Sequence, residues 1–375
     1  MRVSFINDSY RRFFYSHRKE IMNAFERCAS KGDFMLRDET RKFEKKLAKY
    51  VGTKYAVAVN SGTDALFLSL KALGIGPGDE VITVSHTFIA TIQAIVHCGA
   101  TPILVDVGDD GLMDMKLLQH FITERTKAII PVHLSGKMCN FDEMRAYENV
   151  WVIEDAAQAL GSQYAINGKT YNAGGMGITG CFSFNFPKTM GAYGDAGAIT
   201  TDEEWVYKKL LLLRNHWNIT QGSVRQSEYP QPEEMGWGWK SRMDNIQAAI
   251  LNVKFKYYPA MLKRRKQIAD MYQKGLEQMG EIALPIRVKG QIWQEFIIRV
   301  LNQKKFAEFM KKKGVELLIR DVVPNHKLKG LELEHFSLPV TERLAKEQVR
   351  LPIYPELTDK EVQYVIKCVK EYYGK

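Results

Sequence analysis

The stretch Tyr55-Ala-Val-Ala-Val-Asn-Ser-Gly-Thr63 runs from a short apolar segment directly into a Ser-Gly-Thr sequence. It predicts a buried β-strand followed at once by an α-helix, because leucines recur on one face of the next segment, at Leu66, Leu70 and Leu73. The helical pattern stops at a cluster of helix-breaking residues, Gly74, Gly76, Pro77 and Gly78. This stretch is therefore expected to be one strand–turn–helix unit of an α/β fold.

Four more apolar runs are predicted as strands, at residues 81–84, 103–106, 128–132 and 150–153. They are apolar on both faces and alternate with helical patterns, which is typical of a mostly parallel sheet covered by helices on both sides. A further helix is expected over residues 38–50, just before the first strand.

The pattern changes near residue 242. A helix begins there that Pro259 is expected to interrupt, a second helix follows, and a compact α+β lobe runs to the end. Its last helix should open with Thr358 and Glu361 as a capping box. We therefore predict a large domain over residues 1–255, whose N-terminal segment can pack on the small lobe, and a small C-terminal domain over residues 256–375.

Composition excludes several classes of protein. The 375 residues are 45% hydrophobic and 26% charged, as in a soluble globular protein. The net charge is +10, but the basic runs at 263–266 and 311–313 fall in helical patterns without interleaved aromatics, so no nucleic-acid partner is predicted. Five scattered cysteines without a CxxC pair argue against disulfides and against a metal site. No run resembles a signal peptide or a membrane span, and we expect a cytoplasmic protein.

Three features fall at the carboxyl ends of predicted strands, where open parallel sheets bind ligands. The sequence Ser61-Gly-Thr63 offers a helix start with backbone N–H groups for a phosphate. Asp155 offers a carboxylate that can keep a heteroaromatic nitrogen protonated, and Lys188 offers an amine between an aromatic strand and a glycine-rich turn. Each has an ordinary alternative taken alone: a helix cap, a turn cap and a solvated lysine. Their combination is more specific than any one of them.

Seven stretches together resemble the DegT/DnrJ/EryC1/StrS family of sugar aminotransferases. They begin at Val59, Gly76, His86, Glu154, Ser183, Ser241 and Leu351, and they follow the family's order from about residue 35 to the C-terminus. The resemblance implies the aspartate-aminotransferase-like fold (fold type I), an α/β large lobe with a mixed, mostly parallel sheet between helices and a smaller α+β lobe. It also implies pyridoxal 5′-phosphate (PLP) as the cofactor and a homodimer with shared active sites.

The resemblance assigns site residues by position. Lys188 matches the lysine that holds PLP as a Schiff base, and Asp155 matches the partner of the pyridine nitrogen. Gln158 matches the residue that binds the ring hydroxyl, and Phe88 matches the aromatic side chain that stacks on the ring. The remaining predicted cofactor contacts are Gly62, Thr63, Ser183, Asn185 and Lys240.

Two departures from the family pattern bear on ligand binding. The family usually has Asn where Lys240 stands, and this lysine could pair with a phosphate of the neighbouring subunit's cofactor or point into solvent. Asn185-Phe-Pro187 differs from many relatives where the chain borders the sugar. The candidate substrate contacts are Tyr193, Arg242, Arg320 and His326, and the loops expected to set specificity are residues 185–195, 215–240 and 320–330.

The expected activity is PLP-dependent transfer of an amino group from L-glutamate to a nucleotide-linked keto-sugar, with 2-oxoglutarate as the other product and an amino-sugar for glycan biosynthesis, such as lipopolysaccharide O-antigen. Residues 191–195 look most like family branches that aminate position 3 of a 3-keto-6-deoxy or related hexose. Three alternatives stay open at this point: a 4-keto-sugar aminotransferase, a PLP-dependent sugar dehydratase and a non-catalytic regulatory homologue. The presence of Lys188 favours transamination, because the dehydratase branch has histidine there.

Overall fold

The computed structural model describes residues 1–144, 147, 149–217 and 235–375. Within these ranges the strands are β1 (Tyr55–Val59), β2 (Glu80–Val84), β3 (Thr101–Val105), β4 (Thr126–Ile129), β5 (Trp151–Asp155), β6 (Gln163–Ile166), β7 (Lys169–Asn172), β8 (Thr179–Ser183), β9 (Gly197–Thr201), β10 (Phe296–Arg299) and β11 (Gln348–Leu351). The helices are α1 (Asn7–Ser16), α2 (Arg18–Ala29), α3 (Asp38–Val51), α4 (Gly62–Ala72), α5 (Ala90–His97), α6 (Phe141–Met144), α7 (Glu204–Leu213), α8 (Asn245–Leu276), α9 (Gln303–Lys312), α10 (Pro339–Glu347) and α11 (Asp359–Tyr372).

Seven of the described strands form the main sheet, in the order β1-β9-β8-β5-β4-β2-β3. Strands β8, β5, β4, β2 and β3 pair in parallel, whereas β9 pairs antiparallel with both β1 and β8. The predicted mixed, mostly parallel sheet is confirmed.

Helices cover both faces of this sheet. Along β1, Ala58 packs into the core that α3 and the first half of α8 share, whereas Val57 packs with α4, α5 and α7 on the opposite face. Successive side chains of a strand point to opposite faces, so a strand buried on both sides must be apolar at every position. This is the physical reason that the run Tyr55–Val59 shows no polar alternation.

The prediction that Pro259 interrupts a helix was wrong. Helix α8 runs through it without a break, from Asn245 to Leu276. Proline removes one backbone hydrogen bond, but this helix is anchored on both sides of it: Leu251 packs in the core of the large sheet and Tyr272 in a second core. The domain boundary predicted at 255/256 falls inside this helix and stays a prediction.

The second core joins the C-terminal elements to the start of the chain. Strands β10 and β11 pair antiparallel, α9 and α11 pack beside them, and Val3 is buried among them. The predicted capping box is confirmed, since the Thr358 hydroxyl accepts from the Glu361 N–H and the Glu361 carboxylate accepts from the Thr358 N–H at 2.8 Å. Arg12 of α1 adds a salt bridge to Glu361 at 2.6 Å.

The same described ranges show neither a membrane-spanning helix nor a metal cluster. None of their helices combines the length and apolarity needed to cross a lipid bilayer. They also hold no group of three or more His, Cys, Asp or Glu side chains placed to bind a metal ion. The five cysteines are buried with free thiols.

Candidate active site

A cavity of about 460 Å³ opens where β1, β5 and β8 end. Its wall includes nine of the residues that the sequence analysis assigned to the site. These are Gly62, Thr63, Phe88, Asp155, Gln158, Ser183, Asn185, Lys188 and Arg320. Residues from distant parts of the chain meet here because the carboxyl ends of neighbouring parallel strands lie at one edge of the sheet.

Lys188 lies in the turn between β8 and β9. Its N–H donates to the Asn185 carbonyl at 3.0 Å, and a side chain at Gly191 would collide with the Phe186 carbonyl, so the turn can close only with glycine there. The lysine is half-buried. Burial lowers the pKa of its amine from 10.5 to about 8, although the Asp155 carboxylate opposes this shift. The neutral amine is therefore more abundant near neutral pH than in a solvated lysine, although the protonated form still predominates at pH 7.

Two adjacent carboxylates at the end of β5 have different surroundings. Glu154 is buried and accepts from the backbone N–H groups of Gly174, Met176 and Gly177 and from His133, so it joins the sheet to a neighbouring turn. Asp155 points the other way, into the cavity. The structure thus separates a structural carboxylate from one that is available to a ligand.

Asp155 is itself held in place. One carboxylate oxygen accepts from the Thr91 hydroxyl at 2.8 Å, and the other accepts from the Ala157 N–H at 3.2 Å. The Thr87 hydroxyl hydrogen-bonds Thr91 in turn at 2.9 Å. Thr91 lies in one of the stretches that carry the family resemblance, but only the fold shows that it orients Asp155.

The start of α4 forms the phosphate-binding candidate. Ser61 caps the helix, because its side chain accepts from Asp64 N–H and its carbonyl from Ala65 N–H. Ser61 does not bond the N–H groups of Gly62 and Thr63, the first two residues of the helix. Both residues line the cavity, where these N–H groups can bind a ligand. A Cβ at Gly62 would lie 2.7 Å from Cβ of Ser183, so glycine permits the helix start to approach the end of β8.

Gln158 is oriented by a turn that the sequence did not reveal. Its carbonyl oxygen Oε1 accepts from the Ser135 N–H at 2.7 Å, which assigns the donating NH₂ group of the amide to the other side. Ser135 has a left-handed backbone, with φ of 58°, and its hydroxyl donates to Glu295 at 2.9 Å. Arg320 approaches the same carboxylate at 3.1 Å and also lines the cavity.

Glu295 is the buried anion of this network. Burial alone would raise its pKa, but Arg320 and Arg350 hold it at about 2. Arg350 is fully buried, with Nε 3.2 Å from the Glu295 carboxylate. Arg320 therefore presents a cation to the cavity from a fixed position, because Asp321 also accepts from its Nε at 2.7 Å.

The structure does not bring four of the predicted contacts to the cavity wall of a single chain. Lys240 is exposed, and Arg242 donates to Asn215 at 3.3 Å. Tyr193 packs beside Phe14. The buried ring of His326 is bonded to Ser85 at 2.8 Å and to Glu342 at 3.1 Å. Within the predicted loop 215–240, residues 218–234 lie outside the described part of the chain.

The remaining wall suits a flat, phosphorylated ring. Phe88 is 57% exposed and offers its ring to the cavity. PLP has a group for each part of this wall: a phosphate for the helix start, a pyridine nitrogen for Asp155 and an aldehyde for the amine of Lys188. The fold and this match of functional groups are those of the class of PLP-dependent enzymes.

The chain belongs to the DegT/DnrJ/EryC1/StrS aminotransferase family, whose profile matches residues 16–370. It is 37% identical over 364 residues to the dTDP-3-amino-3,6-dideoxy-alpha-D-galactopyranose transaminase of Aneurinibacillus thermoaerophilus, covering 95% of this chain and 96% of that protein. It is 35% identical over 365 residues to the pleiotropic regulatory protein of Geobacillus stearothermophilus, covering 94% of each.

Solved structures agree with this assignment. The crystal structure of S. venezuelae DesV in complex with a ketimine intermediate superposes with a TM-score of 0.89 at 33% identity, covering 97% of both chains. The family and fold identify this protein as an aminotransferase, and PLP is its cofactor.

The lowered pKa of Lys188 has a measurable consequence. Only the neutral amine attacks an aldehyde, so we expect the rate of covalent PLP attachment to the cofactor-free protein to rise with pH, with a midpoint near pH 8 and a plateau above it. Borohydride trapping at short times between pH 6 and pH 10, followed by peptide mapping, measures this profile. A rate that keeps rising towards pH 10 would mean that Lys188 has an ordinary, solvated amine.

Proposed function

We propose that this protein transfers the amino group of L-glutamate to the C3 keto carbon of a nucleotide-linked 3-keto-6-deoxy-hexose. The products are 2-oxoglutarate and an amino-sugar for glycan biosynthesis. The proposal depends mainly on one observation: the amine of Lys188 and the carboxylate of Asp155 line the same cavity. The sugar and the ring position are supported by the name of the Aneurinibacillus relative, which shares 37% of its aligned residues with this chain.

The roles of the chain's own residues follow from their positions. Lys188 would hold the cofactor covalently and, once released, move a proton to and from the α-carbon of the donor. Asp155 would keep a proton on the pyridine nitrogen, in the orientation that Thr91 and Ala157 impose. When bound, PLP supplies an aldehyde for the amino group and a ring that withdraws electrons.

Different parts of the cavity wall would hold the phosphate, the ring hydroxyl and the ring face of the cofactor. Gly62, Thr63 and Ser183 would hold the phosphate through N–H and hydroxyl donors. The NH₂ group of Gln158, whose direction Ser135 sets, would donate to the ring hydroxyl. Phe88 would cover one ring face and keep water from it.

We further propose a cytoplasmic homodimer in which Lys240 and Arg242 of each subunit serve the other subunit's site. The exposed position of Lys240 in the single chain supports this, since a lysine in that position is available to a neighbouring subunit. Arg320, fixed at the cavity wall, is our candidate for an anionic group of the substrate. The net charge of +10 also suits a substrate that carries a diphosphate.

A screen of acceptors tests the proposed reaction. The protein is loaded with pyridoxamine phosphate and mixed with UDP-, dTDP- and GDP-linked 3-keto- and 4-keto-sugars. We expect one 3-keto-sugar to restore the pyridoxal absorbance and to yield an amino-sugar by mass spectrometry. With L-glutamate added, 2-oxoglutarate should form in amounts equal to the amino-sugar.

The same screen separates the alternatives. A response to 4-keto-sugars alone would overturn the ring position. A sugar that loses a hydroxyl group without formation of 2-oxoglutarate would indicate a dehydratase. No response to any keto-sugar, from a protein that binds PLP, would contradict the whole substrate class.

A further inference from the structure

The side chain of Gln294 spans the backbone on both sides of Lys188. Its carbonyl oxygen Oε1 accepts from the Thr189 N–H at 2.9 Å, and its Nε2 donates to the Pro187 carbonyl at 3.0 Å. One side-chain amide therefore hydrogen-bonds the residues immediately before and after Lys188. Gln294 is not among the described residues that line the cavity, so it acts on the site through the backbone that it holds next to Lys188.

These two backbone groups need a partner. The two groups are the Thr189 N–H and the Pro187 carbonyl. Of the adjacent residues, Lys188 already donates its N–H to Asn185, and Pro187 has no N–H. Thr189 is 5% exposed, and an unpaired buried N–H is unfavourable. The Thr189 hydroxyl forms its own hydrogen bond with Tyr258 of α8 at 2.7 Å, and the Thr189 backbone N–H is bonded by Gln294. Without Gln294 the peptide groups around Lys188 would have to rotate to find water.

The position of Gln294 is itself determined by the second core. The neighbouring Trp293 is 4% exposed and packs there. Arg265 of α8 donates to the Trp293 carbonyl and to the Ile353 carbonyl, both at 2.9 Å. The next residue, Glu295, holds the turn that orients Gln158 through Ser135. The segment Trp293–Glu295 thus connects the second core to two sides of the cavity.

We propose that Gln294 is a positioning residue for Lys188. By holding the backbone of Pro187 and Thr189, it fixes the conformation of the Lys188 turn, so that the amine is directed at the cofactor only when the second core is packed against this turn. The contact is long-range, since Gln294 follows Thr189 by 105 positions. The proposal rests on the role proposed above for Lys188 and does not depend on the identity of the sugar.

Gln294→Ala and Gln294→Glu test the proposal with PLP alone as the probe. Alanine removes both hydrogen bonds, whereas glutamate keeps an acceptor for Thr189 and loses the donor to Pro187. Gln291→Ala is the matched control, because the Gln291 side chain accepts a local hydrogen bond from Val288 N–H and lies in the segment just before Trp293. Full-length protein freed of cofactor is mixed with saturating PLP at several pH values, and borohydride traps the attached fraction.

We expect Gln294→Ala to attach PLP about tenfold more slowly than the wild type, Gln294→Glu to be intermediate and Gln291→Ala to be unchanged. The pH midpoint of attachment should rise in Gln294→Ala, because a displaced lysine becomes more solvated; a loss of stability alone would not move this midpoint. Wild-type rates and an unchanged midpoint in Gln294→Ala would overturn the proposal. So would unfolding of both Gln294 variants, since the residue would then be purely structural. The assay contains no donor and no sugar, so its result does not depend on the acceptor screen.

Discussion

Lys188→Ala is expected to abolish covalent attachment of PLP and to lower the rate of amino transfer on the order of 10⁴-fold, the upper range for loss of a general acid–base. The amine is the group in this cavity that combines a lowered pKa with a fixed backbone. Alanine removes both the nucleophile and the proton carrier. Borohydride reduction followed by peptide mapping measures attachment, and coupled detection of 2-oxoglutarate measures turnover.

Lys188→Arg is the control for charge and size. Arginine keeps the cation and most of the stem but cannot become a neutral amine near pH 7, so it should be as inactive as alanine. Circular dichroism should show both variants folded. Cofactor found reduced onto another lysine in either variant would show that position 188 is not the point of attachment.

Asp155→Asn is expected to leave the protein folded and to slow turnover about 10³-fold, within the range of a lost electrostatic contact to the reacting group. Asparagine can still accept from Thr91, so the change removes the charge and keeps most of the geometry. A neutral amide cannot hold a proton on the pyridine nitrogen, and the ring then withdraws electrons less strongly. Single-turnover kinetics with L-glutamate measure the loss.

The same substitution should also act on Lys188. Asp155 raises the pKa of the Lys188 amine against the effect of burial, so removing its charge should move that pKa below about 8. The pH profile of PLP attachment should therefore shift to lower pH in Asp155→Asn. Thr91→Val, which removes a hydrogen bond but not the charge, should shift neither the profile nor turnover as far. Near-normal turnover in Asp155→Asn would show that another group holds the pyridine nitrogen.

Local patterns were sufficient for the elements that position the site. Strand β1 and helix α4 could be predicted because the spacing of apolar residues and the glycines and proline that end a helix are short-range signals. The same holds for the capping box of α11. Pro259 misled the prediction, because the local penalty of a proline says nothing of the packing on either side of it.

The sequence by itself determined the chemical groups of this candidate site: an amine at 188, a carboxylate at 155 and a helix start at 62, each at or shortly after the end of a strand. Only the tertiary structure decided how they are held. Gln294, Glu295 and Ser135 belong to no local pattern, because a polar side chain gains its role from a partner that lies far away in the chain. Long-range hydrogen bonds in a buried wall form only when two cores dock, and that is a property of the whole fold.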